Sequence, residues 1–176
     1  MDNNNTVMDT FYEQIISIKK TSKTTAMFLG IWFLAFLLVF LLFITNFLGA
    51  INLILYFGII YGAFWLSTKL NVEFEYIITN GTMDIDKIIN RSSRKRIVTF
   101  ELSGVTRLEK YNAAAITNIS QKDIITACNL NDENAYFMAV SKSNGDTVNL
   151  IFSPNDKLKS AISKFAPKFV TNSAFK

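Results

Sequence analysis

From Ala26 to Ile44 the chain runs for nineteen residues without a charge, and after a short break a second uncharged run extends from Ala50 to Ser67. As a helix the first run reaches roughly 28 Å, close to the ~30 Å hydrocarbon thickness of a bilayer. The break, Thr45-Asn46-Phe47-Leu48-Gly49, holds a turn-forming Asn and a helix-ending Gly. The pattern therefore predicts a tight antiparallel transmembrane hairpin over 26–68, with spans 26–44 and 50–67.

Ahead of it, Met8, Phe11, Tyr12, Ile15 and Ile16 recur at helical spacing, with Asp9, Glu13, Gln14 and Ser17 largely opposite. Residues 1–25 are accordingly expected to form an amphipathic helical segment, lying in the headgroup layer or on the domain that follows. The apolar run after it is longer than a signal-peptide core and lacks a small-residue cleavage pattern, so an uncleaved anchor is expected.

Beyond Asn71 the period changes to two. Val72, Phe74, Tyr76 and Ile78 alternate with Glu73, Glu75, Ile77 and Thr79, the signature of a half-buried strand. Asn80-Gly81 supplies the positive φ angles of a tight hairpin turn, and Met83, Ile85 and Ile89 alternate with Asp84 and Asp86 beyond it. After a loop over 90–95, Val98, Phe100 and Leu102 mark a third strand, continued by Val105, Leu108 and Tyr111. The Asn-interrupted stretch 112–133 gives only short strand signals, at 116–120 and 123–129. A second hairpin joins 135–142 to 147–152 through Ser143-Asn144-Gly145-Asp146. Ser153 as N-cap and Pro154 at the first position open a helix over 154–166, with Leu158, Ala161, Ile162 and Phe165 on one face and a stop at Pro167.

Consecutive antiparallel strands closed by one amphipathic helix resemble a pleckstrin-homology (PH)-like domain. Tyr76-Ile77-Ile78-Thr79-Asn80 matches a Y-x-I-T-N strand found just after paired transmembrane helices in bacterial membrane proteins with such domains. Gly81, Met83-Asp84-Ile85, Arg96-Ile97-Val98, Phe152-Ser153-Pro154 and Ala166-Pro167 extend the match. The chain is similar to an uncharacterised family of small Gram-positive bacterial membrane proteins, a domain of unknown function. The resemblance implies an α+β fold: a transmembrane hairpin, then an antiparallel sheet or partly open barrel over 70–168 capped by the C-terminal helix, with a tail at 169–176. It implies no catalytic residue. Pleckstrin-type lipid recognition uses the loop after the first strand, which on this reading is only Asn80 to Thr82.

Charge sets orientation more than chemistry. The net charge is +4, and Lys19, Lys20, Lys23 and Lys69 flank the hairpin while its turn has no Lys or Arg. The positive-inside rule then places both termini in the cytoplasm of a two-span protein of the inner or plasma membrane, with Trp65 near Lys69 as an interfacial anchor and Trp32 deeper. The remaining tail is too balanced in charge for a nucleic-acid partner. With one cysteine, Cys128, and no histidine, an intramolecular disulfide, a Cys/His zinc site and histidine-based triads are excluded. Neither span carries an ionisable group, which removes the usual mark of transport. No cofactor is expected.

Two sets of residues stand out. Arg91, Arg94, Lys95 and Arg96 put four cations in six residues, on a loop expected to return toward the bilayer and meet anionic headgroups. Gly30, Gly58 and Gly62 have the small-residue spacing that packs helices, within one hairpin or between copies in a homo-oligomer. Asp84 and Asp86, with Glu73 and Glu75, are read as the exposed polar face of the sheet; a metal-dependent enzyme using these carboxylates is the competing class. The leading expectation is a non-enzymatic membrane protein whose PH-like domain docks a protein, a peptide or the membrane surface through a sheet edge or the cleft beside the C-terminal helix.

Overall fold

The computed structural model describes residues 10–45, 48–116 and 118–175; Met8, Asp9, Asn46 and Phe47 lie outside them. Two compact units result. One comprises residues 1–17, 73–88 and 94–176, the other 18–72 and 89–93.

In the second unit, α1 (Ser22–Thr45) and α2 (Ile51–Thr68) are long and apolar enough to cross a membrane. Helix α1 starts four residues ahead of its apolar run and ends one past it, whereas α2 is displaced from its run by a single residue. Ala35 and Ala63 are their buried apolar residues. An added Cβ at Gly30, Gly58 or Gly62 would meet no atom within 4 Å, so the close approach expected of these glycines is absent within the hairpin.

In the first unit, β1 (Phe11–Ser17), β2 (Val72–Thr79), β3 (Thr82–Ile89) and β4 (Ser93–Glu101) form one sheet in that order. The expected N-terminal helix is thus a strand. It pairs antiparallel with β2, Gln14 opposite Tyr76 and Ile16 opposite Phe74. As a strand its apolar residues divide between the faces, Tyr12 and Ile16 half-buried and Phe11 and Ile15 exposed, and the β-forming Phe, Tyr and Ile residues go to the partner that offers a ladder. The domain consequently begins before the hairpin, and the two helices are an insertion between its first two strands. What lies after the first strand is the hairpin itself, where Asn80 to Thr82 was expected.

A 3₁₀ turn at Leu102–Gly104 leads to the second sheet, β5 (Val105–Lys110), β6 (Ile124–Thr126), β7 (Tyr136–Ser141) and β8 (Thr147–Phe152), ordered β5-β7-β8-β6. Here β6 runs parallel to β8, a departure from the all-antiparallel reading. The segments expected as strands at 116–120 and 123–129 reduce to this short β6, preceded by two 3₁₀ turns. Ile116, Ile119 and Ile124 from this stretch, with Tyr111 just after β5, pack against Phe137, Ala139 and Ile151.

Helix α3 spans Asp156–Phe165 and buries Leu158, Ala161 and Ile162, the stripe read from the sequence. Its N-cap is Asn155, whose Oδ1 accepts from the Leu158 N–H at 2.8 Å. Ser153, the expected cap, is buried and donates its hydroxyl to Asp132 instead. Asn155→Ala is expected to cost about 1 kcal/mol, measured as loss of amide protection in α3. Beyond Pro167 a further helix, α4 (Lys168–Ala174), stands where a tail was expected. It packs on β5, and α3 packs on β1.

Candidate functional site

The four-stranded sheet carries its chemistry on the face opposite the core. Tyr12, Gln14 and Ile16 lie on the core side with Phe74, Tyr76 and Ile78, so Glu13 and Ile15 share the other face with Glu75. Glu75 and Asp86 are 0% and 3% exposed, which corrects the expectation of an exposed polar face. Arginines account for the burial. Arg94 Nη2 donates to Glu75 Oε1 at 2.9 Å, while Arg96 reaches Asp84 Oδ2 and Asp86 Oδ1, each at 2.7 Å. Thr99 Oγ1 adds a hydrogen bond to Asp84. The carboxylates lie beneath and the guanidiniums, about half exposed, lie on top.

Arg94, Lys95 and Arg96 are therefore residues of a strand, where a loop was expected. The guanidinium of Arg96 also fills the space between Asp84 and Asp86 that a bound cation would need. Among the described residues no group of three His, Cys, Asp or Glu is placed to hold a metal ion.

Glu75 is the unusual member. Burial and the neighbouring Glu13 carboxyl raise its pKa above the ordinary 4.5, against the opposing pull of Arg94. Among the described residues its Oε2 has no hydrogen-bond partner, and a proton held between Glu75 and Glu13 would supply a donor. Because the folded state holds this proton more tightly than the unfolded chain, its contribution to stability is complete below pH 4.5 and declines as pH rises through the folded pKa. Glu75→Gln is expected to flatten that dependence, read from β1–β2 amide protection across pH after correction for intrinsic exchange. A slope identical to that of the unsubstituted protein would contradict it.

The helical unit concentrates positive charge. It contains Lys19, Lys20, Lys23, Lys69 and Arg91 and none of the chain's 14 acids, which leaves 13 cations with those 14 acids in the other unit. Two backbone bonds gather the five residues: Ile18 N–H donates to Val72 O at 3.0 Å and Asn90 N–H to Asn71 O at 2.9 Å. The second sets the Ile89–Ser92 turn beside the exit from α2, where Lys69 Nζ stands 3.3 Å from the Trp65 ring centroid. Asn90 and Arg91 have φ of 52° and 54°, the positive angles of a primed hairpin turn. The Asn80-Gly81 turn meets the same demand with glycine; here an arginine adopts a conformation that costs an L-residue about 1 kcal/mol.

Cys128 is buried, and burial with Asp132 nearby pushes its thiol up to about 12. It is a core residue without thiolate reactivity.

Four strands and a second four-stranded sheet, closed by C-terminal helices and carrying two membrane-length helices in the first strand connection, define the chain as a PH-like domain built around an apolar hairpin. The chain belongs to a bacterial PH-like domain family, DUF6106, which matches residues 8–172. That match takes in β1 and the hairpin as well as the sheets. No curated protein matches the chain.

Proposed function

We propose that this is a non-enzymatic membrane-surface module of the cell membrane, with both termini in the cytoplasm and its PH-like domain held at anionic headgroups by the cations at the mouth of the hairpin. One observation carries the reading: every acid is absent from the helical unit, while Arg91, remote in sequence from the spans, is tied to their exit in a turn conformation unfavourable to arginine. A topology signal needs only the flanking lysines. The turn arginine serves no such purpose, and each cation near an anionic leaflet contributes about 1 kcal/mol.

Arg91→Gly tests the reading while keeping the turn, since glycine suits its positive φ better than arginine does. The full-length protein in nanodiscs is expected to gain thermal stability when zwitterionic lipid is partly replaced by phosphatidylglycerol. That gain should shrink in Arg91→Gly and return in Arg91→Lys. An equal gain in Arg91→Gly would defeat the proposal, as would an equal gain from inorganic phosphate without anionic lipid.

A further inference from the structure

An exposed strand edge is an open hydrogen-bonding ladder, and three of this domain's four edges are managed. Strand β1 lies against α3 and is tied to it by Gln14, whose side chain donates to Ser153 O at 2.9 Å and accepts from Asn155 N–H at 2.8 Å. Strand β5 is packed by α4. Strand β6 has three residues. The fourth edge, β4, is the longest strand described, at nine residues, and among the described residues it pairs with β3 alone. Its residues 93–97 are all exposed, including Ile97 at 37%.

The charges on β4 decide what could pair there. The carboxylates beneath take one N–H of Arg94 and three of Arg96, out of five on each guanidinium. The remaining donors, with the exposed Lys95, leave the accessible surface of the strand positive. A second copy pairing through β4 would set Arg94-Lys95-Arg96 against itself, which opposes self-association. A strand bearing carboxylates meets complementary charge. At its far end β4 runs into a cavity of about 400 Å³, lined by Thr99, Glu101, Ser103, Lys142 and Asn144 among others, with room for a side chain of an added segment.

We propose that the open edge of β4 is a docking site for an extended acidic peptide segment of a partner protein, added antiparallel or parallel as a fifth strand. Main-chain hydrogen bonds along the exposed residues 93–97 supply the affinity, and carboxylates facing the two arginines on one side of the strand or Lys95 on the other supply the selectivity. This inference rests on β4 and does not depend on lipid binding by the cations of the helical unit.

The test uses full-length protein in zwitterionic nanodiscs and a ten-residue alternating Glu-Val peptide, blocked at both ends. Its binding is expected to slow amide exchange in β4 while leaving β1 and β5 unchanged, and to weaken about fivefold in Lys95→Glu. A Glu-Val peptide N-methylated at alternate residues, on the face that would pair, should lose binding. Equal binding of a Lys-Val peptide, equal binding of both N-methylated registers, or protection at β1 or β5 in place of β4 would overturn the proposal. So would protection of β4 by self-association without peptide.

Discussion

Tyr76→Ala is expected to destabilise the PH-like domain by about 4 kcal/mol, and Tyr76→Phe by about 2 kcal/mol. Tyr76 lies on β2 yet is completely buried, and its ring meets Phe152 of β8 edge-on at 5.9 Å. Its hydroxyl donates to Ala127 O at 2.7 Å and accepts from Ser153 N–H at 3.3 Å. One side chain thus joins the first sheet to the end of β8 and to the segment after β6. Removing only the oxygen leaves a buried carbonyl and a buried N–H without that partner; removing the ring adds a cavity. Burial also raises the phenol pKa, so the bridge stays protonated at neutral pH. The check is denaturant unfolding of the detergent-solubilised protein, followed through amide protection in β2 and β8. Equal protection in Tyr76→Phe would show that the hydroxyl contributes nothing.

Gly104→Val is the second large effect, about 3 kcal/mol or more. Gly104 ends the 3₁₀ turn that carries the chain from one sheet to the other, and an added Cβ would fall onto the carbonyl oxygen of Ser141. That oxygen belongs to the backbone of β7, a central strand paired on both sides, so it cannot yield as a flexible side chain would. Gly145→Ala is the control. It must bear a φ of 87°, but its Cβ meets no atom within 4 Å, and about 1 kcal/mol is expected. Comparable midpoints for the two variants would refute the steric account.

The correct and incorrect expectations have distinct physical origins. The hairpin, the Asn80-Gly81 turn, the β7–β8 pair and the apolar stripe of α3 rest on local signals that no tertiary partner had to supply. Residues 11–17 read as a helix because their apolar spacing is helical, and the partner that makes them a strand, β2, lies more than fifty residues away across the insertion. A clue was present in the run of Phe, Tyr and paired Ile, which favours a strand. For α3, Ser153 and Asn155 are both good caps, and the choice between them depended on Asp132 claiming the serine hydroxyl.

The candidate sites divide in the same way. Four cations at 91–96 are visible as a cluster, but they belong to different elements. Arg91 joins the hairpin mouth through a turn, while Arg94 and Arg96 lie over Glu75, Asp84 and Asp86. Alternation identified the face of those carboxylates correctly and their burial wrongly, because period two reports direction and not what lies above.

By itself the sequence determined that two apolar helices and a small β-rich domain with a C-terminal helix share this chain, because burial period and uncharged length are local properties. Only the tertiary structure decided that the domain starts ahead of the hairpin, which cations keep acidic partners, and which strand edge stays open. Each of these depends on pairing between residues distant along the chain, a choice made by the ladder, the counter-charge and the covering helix together.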